Sequence, residues 1–208
     1  IVLGGIKMDK CLCSKEDMGV LIGTLCGDCG RKEKRLYCGQ SVKQKDWFEY
    51  KKARFEKIFN QTFQTYKYDY PQYNTSVFQF TTETTELTKY LVNLFYPNGK
   101  KVILKEALEQ LTLEGIAWWY MDDGSMSIKK IDGRPRGAEI TLNTYLTAEE
   151  NQIIIDFFQN QFGITWKLNK SKGKYRLRMG KKEAMKFFPM IEQYIIPSMK
   201  YKIDFNKS

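Results

Sequence analysis

The sequence predicts an α+β protein written as a duplicated α-β-β-α-β-β-α unit, and three observations carry that expectation. Two apolar helix patterns, SKEDMGVLIGTLCGDCG and LTLEGIAWWYMDDGS, each end on a carboxylate with glycine close behind, so Asp28 and Asp123 hold equivalent positions. Alternating segments, an amphipathic helix, further alternating segments and another helix follow each one. Both halves then reach a proline and lysines: Pro97 with Lys100 and Lys101, Pro197 with Lys200 and Lys202. A repeat of this length divides the chain into halves of residues 1–104 and 105–208 within one compact body.

The first helix pattern opens with Ser14 and Asp17, which can form a reciprocal N-terminal cap, and continues through Met18, Leu21, Ile22 and Leu25 at helical spacing. Strand-like KRLYCGQSVK comes next, then the helix KDWFEYKKARFEKIF, the strands TYKYDY and SVFQFTT, and the helix TELTKYLVNLFY. In the second half MSIKKID and AEITLNTY read as strands. Thr147 and Glu150 open the helix TAEENQIIIDFFQNQF as a capping box, and ITWKLNK, KYRLRMG and the helix KEAMKFFPMIEQYI complete the unit.

The strands announce two unlike faces. Phe78 and Phe80 alternate with Val77, Gln79 and Thr81; Ile164, Trp166 and Leu168 with Thr165, Lys167 and Asn169; Tyr175, Leu177 and Met179 with Lys174, Arg176 and Arg178. One face packs on helices, and the other carries amide, hydroxyl and guanidinium groups suited to base edges and phosphates.

Composition narrows the chemistry. Lys and Arg number 34 against 24 Asp and Glu, a net charge of +10 that calls for a polyanionic partner, nucleic acid or an anionic membrane surface. No apolar run reaches the roughly 18 residues of a spanning helix, and IVLGGI is too short for a signal-peptide core. Five cysteines, an odd number, fit a reducing compartment, an organelle or a bacterial cytoplasm. Cys11, Cys13, Cys26, Cys29 and Cys38 offer no second C-x-x-C at zinc spacing, so structural zinc is not expected. Histidine is absent, which removes Ser-His, Cys-His and His-metal chemistry at once and leaves carboxylates, lysines and bound water. Carboxylates at the C-terminal end of a helix cost about 0.3–1 kcal/mol each, so Asp122 and Asp123 require a compensating cation.

The same residues resemble the LAGLIDADG homing endonucleases. LIGTLCGDC, residues 21 to 29, is similar to a first copy of the signature, and IAWWYMDDG, residues 116 to 124, to a second. YCGQS, MDDGS, ITLNT and IIPSMKYKI resemble the single-chain, two-motif branch that includes the yeast mitochondrial omega-intron endonuclease. The resemblance implies a saddle of antiparallel sheets with the signature helices packed at its centre. Gly23 and Gly27 would admit close approach there, and Trp118, aligned with Gly23, would make the contact asymmetric. It implies that Asp28 and Asp123 hold a divalent metal against the scissile phosphates, with Gly27 and Asp122 as supporting positions. Mg²⁺ is the expected ion, with Mn²⁺ substituting and Ca²⁺ supporting binding without cleavage. Lys202 matches the family's central lysine. Lys100 and Lys101 compete for the first-half place, which Lys101 takes by its position before Val102 and Ile103. Gln40 and Asn143 are candidates to orient water or phosphate.

The implied activity is site-specific cleavage of both DNA strands across the minor groove, leaving short 3′ overhangs. A monomer would act on a long, largely asymmetric site, with no membrane and no obligate protein partner. Contacts to DNA are expected from Arg35, Lys43, Lys67, Gln79 and Thr81 in the first half. In the second half they are expected from Arg134, Arg136, Thr141, Asn143, Lys167, Asn169, Arg176 and Arg178. The alternative is an RNA maturase or DNA-binding regulator on the same fold, without cleavage. Paired carboxylates argue against it.

Overall fold

The computed structural model describes residues 12–132, 134–171 and 173–206, apart from the side chains of Ile131, Arg134 and Pro135. The first unit runs α1 (Lys15–Cys26), β1 (Cys29–Lys32), β2 (Arg35–Ser41), α2 (Lys45–Phe59), β3 (Tyr66–Tyr70), β4 (Thr75–Thr81) and α3 (Glu86–Phe95). A short α4 (Lys105–Leu108) leads into the second: α5 (Leu113–Asp123), β5 (Gly124–Ile131), β6 (Arg134–Leu142), α6 (Ala148–Phe162), β7 (Lys167–Ser171), β8 (Lys174–Gly180) and α7 (Lys181–Ile191). The two four-stranded antiparallel sheets have matching orders, β1-β2-β4-β3 and β5-β6-β8-β7. The duplicated α-β-β-α-β-β-α unit is therefore present. Strand β1 had no signal of its own: four residues, CGRK, become a strand only by pairing Cys29 with Cys38 through Lys32 with Arg35.

Capping follows the sequence with one variation. Thr147 and Glu150 form the full reciprocal box of α6, at 3.2 and 3.0 Å. At α1 the Asp17 amide donates to Ser14 Oγ at 3.0 Å, but the Asp17 carboxylate takes the Ser14 hydroxyl at 2.8 Å, so the cap is not reciprocal through the backbone. An N-cap of this kind contributes about 1 kcal/mol.

Helices α1 and α5 lie backbone to backbone. A Cβ on Gly23 would sit 2.0 Å from the Gly115 carbonyl oxygen, and one on Gly115 equally close to that of Gly19. At the far end, a Cβ on Gly27 would meet Asp122 at 2.7 Å. Gly19 faces Thr112 while Gly27 faces Asp122, so the helices run in the same direction and bring their C-terminal ends together. The expected asymmetry is found: Gly23 meets Gly115, which the signature alignment had left outside the motif. Trp118 turns away from this seam onto α2, its ring 4.9 Å from Trp47 and 5.7 Å from Tyr50. The second-half helix thereby anchors itself on the first half.

Each sheet covers an aromatic cluster, Phe48, Phe55, Phe63 and Phe80 under the first, Tyr120, Phe158, Trp166 and Phe187 under the second. Among the described residues, no helix is long and apolar enough to cross a membrane.

Register assigns the outer faces, because directly opposed residues in an antiparallel pair share a side. Leu36, Cys38 and Phe80 face the helices, leaving Arg35, Tyr37, Gln79 and Thr81 outward. Lys67 pairs with Phe78 and so lies on the helix side, where it bridges Asp69 at 3.1 Å; it does not belong to the outer face. Arg136 is likewise displaced. The irregular register at Lys129–Lys130 leaves it beside Ala138, lining a recess with Lys181 and Phe205. The Arg134 side chain lies outside the described residues.

Candidate active site and nucleic-acid interface

The α1–α5 seam delivers Asp28 and Asp123 to neighbouring helix ends, and the surroundings of both carboxylates follow from that placement. Burial, then the nearby Asp122 carboxylate, raises the Asp28 pKa against the pull of Lys51, Gln40 and Lys202. Burial, then Asp28 and Asp122, pushes Asp123 up to about 7, against Lys101 and the Trp119 indole. Lys202 thus lowers the acid of the first half and Lys101 the acid of the second.

Both lysines sit on the carbonyls that the helix ends leave unsatisfied. Lys101 Nζ donates to Gly27 O at 2.9 Å and Cys29 O at 3.3 Å. Lys202, only 7% exposed, donates to Met121 O and, at 3.1 Å, to Asp122 O. Burial lowers the Lys202 pKa despite the three carboxylates that raise it. Lys100 is exposed, so of the two competing lysines it is Lys101 that reaches the site. Two cations at two helix C-termini offset the partial negative charge there, which explains how acids are tolerated at these positions.

Asp122 has a different place from the one its adjacency to Asp123 suggested. Its side chain is fully buried, accepting from Lys51 Nζ at 2.7 Å, Trp47 Nε1 at 2.7 Å and the Asp28 amide at 3.2 Å. With both oxygens engaged inside the protein, it is a strut for Asp28 and not a free donor to a metal. The Gly27 carbonyl is similarly occupied by Lys101. Lys51 was not singled out from sequence, yet it is 1% exposed and also donates to Gln40 Oε1 at 3.1 Å. Gln40 in turn donates to Asp28 Oδ2 at 3.3 Å. Burial alone would lower the Lys51 pKa; Asp122, Cys38 and Asp28 outweigh it and raise it. A lysine inside KDWFEYKKARFEKIF reads as one of four on a solvated helix, and only the α2–α5 packing reveals its partner.

Asp123 is held by other means. Trp119 Nε1 donates to its Oδ2 at 3.1 Å, and the Asn143 side chain and amide both donate to its carbonyl, at 2.9 and 3.1 Å. Asn143 therefore ties β6 to the end of α5, with its amide nitrogen turned to the protein.

Asp28 and Asp123 fit a hard divalent cation. Each keeps its Oδ1 without a hydrogen bond among the described residues, and each is raised in pKa by burial first and by neighbouring carboxylates second. No group of three or more Asp, Glu or Cys gathers as a cage among the described residues. A cation here would draw its other oxygens from water or from a phosphate.

The outer faces supply polar groups on both sides of this centre. In the first sheet Arg35, Gln79 and Thr81 are partly exposed, and Lys43 is exposed just beyond β2. In the second, Lys167 opposes Arg178, and Asn169 opposes Arg176. Arg176 Nε donates to Asn169 Oδ1 at 3.1 Å, and Arg178 to Glu139 at 3.2 Å, so that face holds an acid the sequence reading had not placed there. Thr141 shares the face but is 5% exposed, its hydroxyl bonded to Ser125 at 2.6 Å.

A profile of the LAGLIDADG DNA endonuclease family matches residues 18–187. The chain is 31% identical over 195 residues to an uncharacterised protein, MJ1098, of Methanocaldococcus jannaschii, covering 90% of this chain and 74% of that one. It is 30% identical over 114 residues to a probable intron-encoded endonuclease of Wickerhamomyces canadensis, covering 54% of this chain and spanning about half, 48%, of that relative. Its fold is similar to that of the homing endonuclease I-WcaI bound to its DNA recognition sequence, with a TM-score of 0.80, 23% identity and coverage of 99% of this chain and 96% of that one. Two signature helices seated in parallel, two equivalent sheets and a family match across most of the chain agree: the protein belongs to the LAGLIDADG DNA endonuclease family.

Proposed function

We propose that the protein is a site-specific DNA endonuclease that hydrolyses one phosphodiester on each strand of a duplex, one chain carrying both reaction centres. The observation that carries this reading is the pair of equivalent carboxylates, Asp28 and Asp123, each beside a lysine at the end of a paired helix. A pure DNA binder has no use for two under-compensated acids beside a face that would meet phosphate.

Asp28 and Asp123 would hold Mg²⁺, with Mn²⁺ substituting and Ca²⁺ supporting binding alone. An ion held there would supply an activated water and charge stabilisation at the phosphate oxygens. Gln40 fixes the orientation of the Asp28 carboxylate, and Trp119 that of Asp123. Lys101 and Lys202 keep a positive charge beside the carboxylates as charge develops on the substrate. Cleavage across the minor groove with short 3′ overhangs, at a long and largely asymmetric site, completes the reading. The units of residues 1–104 and 105–208 would each serve one strand. A reducing compartment, suggested by the odd number of cysteines, is the working environment that goes with this reading.

The test is cleavage of a site selected from a randomised duplex library. Asp28→Asn and Asp123→Asn should each reduce double-strand cleavage at least about a hundredfold, the scale of losing one charge-stabilising group. Both should retain DNA binding in Ca²⁺. Near wild-type cutting of both strands by either variant rejects the reading. Sedimentation of the complex should give one chain per duplex.

A further inference from the structure

We infer that equivalent strands of the two sheets recognise their half-sites by different chemistry: β3 and β4 of the first read A·T pairs through a row of tyrosines, whereas β7 and β8 of the second present cationic and amide side chains. This rests on the endonuclease reading above and adds the composition of the target to it.

Register places Tyr66 opposite Gln79, Tyr68 opposite Val77 and Tyr70 opposite Thr75, so all three tyrosines share the outer face of β3–β4. They are 45, 43 and 39% exposed, although nothing about a strand edge requires large aromatic rings in water. Tyr66 and Tyr68 lie side by side, their rings tilted by 31° with centroids 6.5 Å apart. The face of these two strands carries no charge. Lys67 and Asp69 lie on the other side, tied to each other and, through Asp69, to Ser76.

A face made of phenol rings, a valine and a glutamine has a definite reading range in a major groove. Apolar edges recognise the thymine methyl, and glutamine pairs with the N6 and N7 atoms of adenine. Guanine, best read by Arg or Lys, has no reader on β3 and β4. The corresponding pair in the second sheet, β7 and β8, presents Lys167, Asn169, Arg176 and Arg178, with Arg176 held in place by Asn169. Equivalent strands of the repeat thus carry opposite chemistries.

The probe is the selected duplex with thymine replaced by deoxyuridine, which removes only the methyl, first in one half-site and then in the other. Binding is measured in Ca²⁺ across a salt series with the full chain. The expected result is a loss of about fourfold per contacted methyl in one half-site and none in the other, the value of one buried CH₂-sized group. Tyr66→Ala with Tyr68→Ala should erase that thymine-over-deoxyuridine preference and relax selection in the same half, with the salt dependence unchanged. Tyr68→Phe should keep the preference. Three outcomes overturn the inference: equal tolerance of deoxyuridine in both halves, a selected site with no A·T-rich half, or a lower salt slope in the tyrosine variant, which would make the hydroxyls phosphate contacts. Failure of the wild-type chain to select any duplex would instead reject the endonuclease reading itself.

Discussion

Asp28 and Asp123 occupy the same place in two copies of one unit, yet the layers behind them share almost nothing. Behind Asp28 stands a buried ionic chain of Lys51, Asp122, Trp47 and Gln40. Behind Asp123 stand an indole one helical turn away and an asparagine just beyond β6. What the copies preserve is sheet order, helix direction and a lysine on each helix end. Those features fix where the two acids lie relative to each other, and in the proposed endonuclease each would face one DNA strand. The supporting layer has only to hold each acid still, and can do so with ions in one half and neutral donors in the other.

The largest effect should come from breaking the ionic side alone. Lys51→Met leaves Asp122 buried without its cation and should cost about 3–5 kcal/mol of stability in urea unfolding. Adding Asp122→Asn should recover most of that loss, because it removes the stranded charge; a double variant as unstable as the single one would refute the pairing.

The lysines should behave as partners across the halves. Lys101→Met and Lys202→Met are each expected to slow single-turnover cleavage about a hundredfold while changing affinity in Ca²⁺ much less, since in the proposed reaction they would act on charge in the transition state. Lys100→Met should cut at the wild-type rate, because its side chain is exposed.

Seam geometry predicts a smaller penalty. Gly23→Ala forces a Cβ into the Gly115 carbonyl and should destabilise by about 1–3 kcal/mol, with a matching loss of cleavage as the acids move apart. Gly137→Ala, where nothing lies within 4 Å, should leave both unchanged.

The smallest effect tests the faces themselves. Lys167→Ala should weaken DNA binding and lower the salt slope by about one if that lysine meets a phosphate. Lys67→Ala, on the helix side of its sheet, should leave the slope as it is. Equal effects would show that register does not determine which lysines meet DNA.

Much of this was legible along the chain. The duplication, the helix caps and the alternating faces are local patterns, and local patterns survive without tertiary context. Asp28, Asp123, Lys101, Lys202 and Gln40 could be named because each half repeats or resembles a known signature. Lys51 could not, since a buried lysine on an amphipathic helix has the same spacing as its solvated neighbours. Asp122 could be read only as a supporting position, and what it supports could not, because adjacency in sequence does not say which way a side chain at a helix end turns. Lys67 and Arg136 were assigned by charge, and strand register, with one irregularity, moved both off the outer face.

The sequence by itself determined the repeated unit, its elements apart from β1, and the pair of acids, because periodicity and capping act over a few residues. Only the tertiary structure decided that Gly115 and not the Trp118 position would meet Gly23, that Asp122 would be an internal anion, and that one sheet would present tyrosines where the other presents arginines. Those outcomes depend on which backbone atoms approach across the α1–α5 seam and on strand register, and both are set by packing between segments far apart in the chain.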